Sequence, residues 1–159
     1  MTRAILLRDV RDDDLSVFFA QQLDADANRM AAFTAKDPAD KGAFIAPWAA
    51  IRGDDTVTIK AIVVDGRVAG HVLRFDAAGH PEVSYWLGKD YWGQGIATRA
   101  LAAFLCHVRE RPLYARAARD NRASLRVLHK CGFTITGEDK GFSNACGVEI
   151  EEYILTLGQ

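Results

Sequence analysis

The sequence contains few of the residues that build disulfide frameworks and metal centres. Its 159 residues include three cysteines, Cys106, Cys131 and Cys146, and no two of them form a CxxC pair. We therefore expect reduced, mostly buried thiols in a reducing compartment rather than disulfide bonds. No cysteine and histidine have the spacing of zinc ligands, so no metal site is predicted.

Long apolar runs and an excess of one charge are also missing. No segment approaches the roughly 20 apolar residues of a membrane-spanning helix, and the first apolar run is too short for a signal peptide. The formal net charge is −1, from 20 basic and 21 acidic residues. That balance gives no electrostatic footprint for nucleic acid or for an anionic membrane. We expect a cytoplasmic protein that binds neither.

The remaining composition, 49% hydrophobic and 26% charged, is that of an ordinary globular domain. The length fits one domain over residues 1–159. Apolar periodicity and breakers predict the order β-α-α-β-β-β-α-β-α-β-β. Its three middle strands are joined by short turns, one of them the hairpin signal Asp65-Gly66, and are therefore antiparallel. The expected fold class is α+β, with a mixed, mostly antiparallel sheet flanked by helices.

The C-terminal third contains the clearest boundaries of secondary structure. Asn121 is a suitable N-cap for the last helix, and Gly132 fits the C′ position after it. The two final strands are expected at Phe133 to Thr136 and Val148 to Leu157. A loop around Gly141 to Gly147 would join them.

A glycine-rich turn, Gly93-Gln94-Gly95, separates the third middle strand from a clear helix. Small residues let the backbone approach a ligand closely, and the first N–H groups of a helix have no intrahelical partner. Together with the helix dipole, this arrangement favours a phosphate or a pyrophosphate. The alternative is a tight turn that needs glycine only for its backbone angles.

Two other phosphate-binding motifs fit this turn less well. The P-loop pattern GxxxxGK[ST] is absent. A dinucleotide site is an alternative, because Gly93-x-Gly95 opens a helix and Asp120 follows where a ribose-binding acid could lie. Two features weigh against a dinucleotide site. Thr98 occupies the position of the third glycine of the dinucleotide motif, and five residues separate the strand end near Leu87 from Gly93. The preceding strands are also antiparallel.

Two segments together resemble the GNAT acetyltransferase superfamily. Residues 85–100, YWLGKDYWGQGIATRA, are similar to its acetyl-CoA motif, and residues 121–133, NRASLRVLHKCGF, are similar to its second motif. Their order and separation are those of the family. Within it, they look most like the branch that holds the ribosomal-protein N-terminal acetyltransferases.

The resemblance implies that acetyl-CoA is the co-substrate and that a primary amine accepts its acetyl group. It also implies a splayed central strand pair, and it makes a homodimer one expected assembly. Trp92 stands where many members begin the pyrophosphate motif with Gln or Arg, which matters little if backbone N–H groups bind the phosphates. The backbone of the strand end would pair with the pantetheine arm. The residues implied are Gly93, Gln94, Gly95, Ile96, Ala97 and Thr98 for pyrophosphate, and Tyr85, Trp86 and Leu87 for pantetheine.

Ser124 is the candidate proton donor to the leaving sulfur, the role proposed for a serine at this position in the resembled branch. Many superfamily members use a tyrosine one turn later, where this chain has Leu128. The alternative is an ordinary hydroxyl in the first turn of a helix. Asn121 would either bind the pantetheine arm or cap its own helix.

Glu82, on the third middle strand, is the candidate general base. Glu82 lies at an odd spacing from Leu87, whereas superfamily members carry their strand carboxylate at an even spacing from this position. Because side chains alternate between the two faces of a strand, Glu82 could point away from the acceptor. Members of the resembled branch carry a glutamate in the loop after the strand that follows the last helix. The matching position in this chain is Ser143. Glu138, Asp139, Glu149 and water remain open alternatives.

The acceptor is left open between a protein N-terminus and a small-molecule amine. By resemblance it lies between residues 21–48 and 141–147. Acidic and aromatic side chains in the first range suit a cationic amine, or they are helix starts and core residues. They are Asp24, Asp26, Asp37, Asp40, Phe33, Phe44 and Trp48. The alternative function is a catalytically silent acyl-CoA-binding sensor.

Overall fold

A computed structural model describes residues 3–32 and 36–158. The strands are β1 (Ile5–Arg8), β2 (Thr58–Val64), β3 (Arg67–Ala77), β4 (His80–Leu87), β5 (Leu113–Ala118), β6 (Thr134–Ser143) and β7 (Val148–Leu157). The helices are α1 (Asp12–Gln21), α2 (Ala25–Ala31), α3 (Lys41–Gly53), α4 (Ile96–His107) and α5 (Arg122–Lys130), with a 3₁₀ turn at Lys89–Tyr91.

The seven strands form one sheet in the order β1-β2-β3-β4-β5-β7-β6. Neighbouring strands are antiparallel except for the parallel pair β4 and β5. The expected α+β class with a mixed, mostly antiparallel sheet is therefore confirmed. Where the predicted order has two helices before β2, the structure has three, α1, α2 and α3.

Both turns of the three-stranded segment have the left-handed backbone of two-residue hairpins. Asp65 and Gly66 have φ angles of 49° and 82°, and Ala78 and Gly79 have φ angles of 50° and 81°. Two consecutive residues with positive φ match the twist of the strands that they join. The Asp65-Gly66 hairpin predicted from the sequence is confirmed.

The parallel pair β4 and β5 separates along its length. In the described residues, β5 pairs with β4 only where Glu82 lies opposite Tyr114. On its other edge, β4 stays paired with β3 from His80 as far as Leu87. The last residues of β4 thus have a strand on one side and an opening on the other, which confirms the expected splayed pair.

Two apolar clusters lie on opposite faces of the sheet. Phe104 of α4 and Leu128 of α5 pack with Val83 and Leu87 of β4 on one face. On the other, Phe18 of α1 and Trp48 of α3 contact His71 of β3, with ring centroids 4.7 Å and 5.1 Å away. Burial of each large apolar side chain contributes about 1.5–3 kcal/mol. No helix formed by the described residues is long and apolar enough to cross a membrane.

The last hairpin is longer than the sequence predicted. The strand expected to end at Thr136 continues as β6 to Ser143, so Gly141 lies in the strand and not in the loop. It pairs with β7 as far as Ser143 opposite Val148. Because β6 is an edge strand, most of its side chains are exposed. Its sequence is therefore mostly polar and lacks the alternation of apolar and polar residues that predicts a strand.

The cysteines were predicted to be mostly buried, and this is wrong for two of them. Cys106 and Cys146 are exposed and Cys131 is half-buried, all three as free thiols. Cys106 lies on the outer side of α4, and Cys146 lies in the turn between β6 and β7.

Ser143 fastens the β6–β7 hairpin to the end of α2. Its side chain is fully buried, and its hydroxyl donates to the carbonyl oxygen of Ala32. The same hydroxyl accepts a hydrogen bond from the N–H of Cys146 at 3.1 Å. The Cys146 Sγ lies 3.7 Å from the carbonyl oxygen of Arg29. These contacts join the β6–β7 hairpin to the C-terminal end of α2.

We expect Ser143→Ala to lower the free energy of unfolding by about 1–3 kcal/mol, because it leaves the buried carbonyl of Ala32 and the partly buried N–H of Cys146 without their partner. Urea denaturation measures this change. Ser84→Ala is the matched control, since Ser84 is exposed on β4. Equal stability of the two variants would contradict a fastening role for Ser143.

Candidate active site

A cleft of about 390 Å³ opens where β5 parts from β4. Its walls come from α2, the end of β4, the turn that follows, and the first turns of α4 and α5. Most residues predicted to bind the co-substrate line this cleft. They are Tyr85, Trp86, Leu87, Gly93, Gly95, Ile96, Ala97, Thr98 and Asn121, and Ser124 lies with them.

One end of the cleft is the N-terminus of α4. Gly95 is the N-cap residue, with φ 74°, and Gly93 has φ 72°, both in the left-handed region that favours glycine. No described side chain caps this helix, and the N–H of Arg99 bonds to the carbonyl of Gly95. The preceding helical N–H groups are therefore available to a ligand. An uncapped helix N-terminus with its dipole is suited to an anion.

Gln94 is the exception among the predicted pyrophosphate residues, because its side chain is engaged outside the cleft. Its Nε2 donates to the carbonyl of Asp90 at 3.0 Å, and its Oε1 accepts from Arg3 at 2.7 Å. The Arg3 guanidinium also lies 5.4 Å from the ring centroid of Tyr91. Gln94 thus holds the glycine turn against the N-terminal segment.

The backbone of β4 presents peptide groups to the opening. Leu87 lies opposite Gly70, and the N–H of Gly88 donates to Ala69 at 2.8 Å. Because N–H groups alternate between the two edges of an antiparallel strand, those of Tyr85 and Leu87 point away from β3. The Leu87 carbonyl, on that same edge, accepts from the indole of Trp92 at 2.9 Å. The unpaired edge of β4 therefore faces the cleft.

Helix α5 begins on the opposite wall of the cleft. The side-chain oxygen of Asn121 accepts from the N–H of Ser124 at 3.1 Å, which confirms the predicted N-cap. This bond uses only the carbonyl half of the side chain, so the amide half can still donate to a ligand. Ser124 Oγ in turn accepts a hydrogen bond from the hydroxyl of Tyr85 at 3.3 Å.

Glu82 is placed at the point where β4 and β5 are still joined, outside the residues that line the cleft. Its carboxylate lies 3.6 Å from Nε of Arg116. The Nη1 atom of the same arginine bonds Glu152 at 2.8 Å and Asp139 at 3.0 Å. Burial is the main cause that raises the pKa of Glu82, opposed by Arg116 and assisted by Glu152. As alternation predicted, Glu82 lies on the face opposite Tyr85.

Other carboxylates near the cleft serve the helices. Asp24 caps α2 by accepting from Ala27 at 2.8 Å, and Asp40 caps α3 by accepting from Ala43 at 3.0 Å. Asp26 bonds Lys89 of the 3₁₀ turn at 2.8 Å. The caps made by Asp24 and Asp40 agree with the interpretation of these aspartates as helix starts. The described residues contain no group of three His, Cys, Asp or Glu side chains placed to hold a metal ion.

The aromatic residues of the same range belong to the core. Phe44 and Trp48 pack in the apolar cluster of α1 and α3. Asp37 accepts from the N–H of Ala39 at 3.1 Å in the turn before α3. Phe33 lies outside the described residues. The interpretation as core residues and helix starts is confirmed for the described residues except Asp37, which lies in the turn before α3.

Several cleft residues were not found from the sequence. Arg126 and Lys130 line the cleft from α5, and Met30 and Ala31 line it from α2. The two basic residues are spaced i, i+4, which places them on one side of α5, and this spacing after the Asn121 cap was a usable signal. Their positive charge complements an anionic ligand.

Solved structures share this fold over nearly the whole chain. The ribosomal-protein-alanine N-acetyltransferase of Brucella melitensis has a TM-score of 0.77 at 22% identity, covering 95% of this chain and 98% of that one. The microcin C7 self-immunity acetyltransferase MccE, in complex with acetyl-CoA and AMP, has a TM-score of 0.76 at 20% identity, covering 96% and 91%. Mycobacterium smegmatis RimJ, in complex with CoA-disulfide, has a TM-score of 0.73 at 22% identity, covering 96% and 81%. No curated protein matches the sequence.

The comparison with protein families is more specific. Residues 4–134 match the model described as an acetyltransferase (GNAT) domain. The matched range includes the glycine turn, the open edge of β4 and all of α5. The chain therefore belongs to the GNAT acetyltransferase family.

Proposed function

We propose that the protein transfers the acetyl group of acetyl-CoA to a primary amine, by direct attack of the amine on the thioester. The acceptor is a protein N-terminal α-amine or a small-molecule amine. The observation that carries the proposal is the meeting, in one cleft, of an uncapped helix N-terminus and an unpaired strand edge. The first suits a pyrophosphate, and the second suits the amide-bearing arm that follows it in acetyl-CoA.

The phosphate end is argued from backbone donors and charge. In the proposal, the N–H groups of Ile96, Ala97 and Thr98, with the glycine turn before them, hold the pyrophosphate. Backbone N–H groups and the helix dipole favour negative charge at this point. Arg126 and Lys130 on the opposite wall add positive charge.

The pantetheine end is argued from the free edge of β4. An extended arm can pair with the outward peptide groups of Tyr85 and Leu87 as an added strand would. The amide of Asn121 donates from the other wall. Trp86 lines the cleft between these two peptide groups.

The reaction needs support for an oxyanion and for a leaving thiolate. The N–H of Leu87 donates to the carbonyl oxygen as charge develops on it, and one such donor contributes about 2.7–4 kcal/mol in other enzymes. Ser124 gives a proton to the departing sulfur. Alignment of both substrates in the cleft contributes about 7–11 kcal/mol through effective molarity.

Glu82 is proposed as the group that accepts the amine proton, reached through water because it lies outside the cleft lining. Its raised pKa supports this role, since a base whose pKa lies closer to the working pH accepts a proton more readily. The carboxylates that surround Arg116 make the same face attractive to a cationic amine.

Calorimetric titration with acetyl-CoA, with NADH and NADPH as controls, is the first test. A release assay for the CoA thiol against a panel of amines and peptides follows. Micromolar binding of acetyl-CoA and thiol release on one amine class would support the proposal. Binding without release on any amine would support the acyl-CoA sensor instead, and binding of NADH alone would contradict both.

Gly95→Asp should weaken acetyl-CoA binding at least a hundredfold, because it places a carboxylate at the pyrophosphate site. Gly79→Asp is the matched control. Both glycines have positive φ, 74° and 81°, and an added Cβ would meet nothing within 4 Å at either position. Titration calorimetry on both variants separates lost charge complementarity from backbone strain. Equal affinities would contradict the site assignment.

Ser124→Ala should lower kcat about tenfold to a hundredfold and leave the affinity for acetyl-CoA unchanged, because the hydroxyl acts on the leaving sulfur. Steady-state kinetics and calorimetry measure the two quantities. Ser16→Ala, an exposed serine on α1, serves as the control. A wild-type kcat in Ser124→Ala would mean that the hydroxyl is only structural.

Glu82→Gln should lower kcat/KM about a hundredfold and remove its dependence on pH on the acid side. The wild-type enzyme should lose activity as the pH falls through the raised pKa of Glu82, because only the ionised form accepts a proton. Asp139→Asn removes the same charge from the neighbours of Arg116, at an exposed position. If both variants keep the wild-type pH profile, Glu82 is not the base.

A further inference from the structure

Tyr85 brings a phenol to Ser124 from the opposite wall of the cleft. We propose that Tyr85 is a positioning residue: its hydroxyl donates to Ser124 Oγ and so turns the Ser124 proton toward the leaving sulfur. This inference rests on the proposed function and deepens it. It assigns a role to the side chain of Tyr85, a residue whose backbone alone was expected to act.

The contact joins two elements that are each held firmly. The Tyr85 hydroxyl lies 3.3 Å from Ser124 Oγ, and both residues line the cleft. The Tyr85 ring packs beside the core cluster that contains Val83 and Leu87, on a strand paired along its whole length with β3. Ser124 stands in the first turn of α5, which Asn121 caps. The geometry of the two hydroxyls is therefore fixed by the fold.

Helix α5 provides no phenol of its own at this point. One turn after Ser124 the chain has Leu128, which is 2% exposed and packs in the core. A proton donor or an orienting group from that position is excluded by its chemistry and by its burial. Tyr85 of β4 is the side chain that reaches the serine instead.

A lone serine hydroxyl at a helix start has a choice of partners. It carries one proton and two lone pairs, and it rotates to suit its surroundings. Serine in a helix commonly donates to a carbonyl of the preceding turn. When Tyr85 donates to one lone pair, the Ser124 proton is directed away from the phenol, toward the open space of the cleft where the thioester is proposed to lie.

The phenol keeps its proton throughout. Burial raises the pKa of Tyr85, opposed by the hydrogen bond to Ser124 and assisted by the neighbouring Cys131 thiol. It therefore donates over the whole neutral range. A hydrogen bond to the anionic form of an acid lowers the pKa of that acid, so a directed Ser124 proton should make the thiolate of bound coenzyme A easier to form.

The proton transfer balances without a change in Tyr85. The amine nitrogen forms a bond to the acetyl carbon, and the bond from that carbon to sulfur breaks with its electron pair on sulfur. Ser124 gives its proton to this thiolate, and the proton that the amine releases to Glu82 through water returns through water to the serine oxygen. Tyr85 remains a neutral donor before and after.

The test compares Tyr85→Phe, Ser124→Ala, the double variant and Tyr153→Phe as the matched control. Tyr153 lies on β7, outside the cleft lining. We expect Tyr85→Phe to lower kcat roughly threefold to tenfold with unchanged affinity for acetyl-CoA, as for the loss of one hydrogen bond. Because Tyr85 acts through Ser124, the double variant should be no slower than Ser124→Ala. Tyr153→Phe should match the wild type.

A second readout does not require turnover. The pKa of the thiol of bound coenzyme A, followed by the ultraviolet absorbance of the thiolate, should rise in Tyr85→Phe and in Ser124→Ala but not in Tyr153→Phe. Multiplied losses of kcat in the double variant, or an unchanged thiol pKa in Tyr85→Phe, would overturn the positioning role and leave the acetyltransferase proposal intact. Failure of the wild-type protein to bind coenzyme A would overturn both.

Discussion

The separation of β5 from β4 after Glu82 and Tyr114 is the constraint on which the site depends. A continuous sheet would use the peptide groups of Tyr85 and Leu87 for a neighbouring strand and would leave no room between the two strands. Leaving such groups without partners costs free energy. Contacts on either side of the opening must therefore hold the two strands apart. One edge of β4 is paired with β3, and the strands are still joined where Arg116 gathers three carboxylates.

Much of the fold and of the cleft lining could be predicted because both depend on local chemistry. Asp65-Gly66 and Gly93-Gln94-Gly95 need backbone angles that few residues adopt, and Asn121 needs only the first turn of its own helix. Such signals are complete within a few residues of sequence. The antiparallel middle and the start of α4 followed from them.

The features that were missed depend on contacts between distant segments. Ser143 has no local mark of its role, since its partner Ala32 is far away in the chain. The side chain of Gln94 is taken up by Arg3, and Ser124 meets Tyr85 across the cleft. The polar edge strand β6 lacks an alternating pattern because neither of its faces is fully buried. Each of these required the tertiary structure.

The two sides of the cleft are held in place by different kinds of contact. The α4 end of the cleft relies on backbone N–H groups of a helix start, which almost any sequence supplies once two glycines set the turn. The opposite wall includes α2, whose position is set by side chains, Ser143 at one end and Lys89 with Asp26 at the other. Substitutions of side chains along α4 therefore leave its N–H groups in place, whereas substitution of Ser143, Lys89 or Asp26 would loosen the α2 wall.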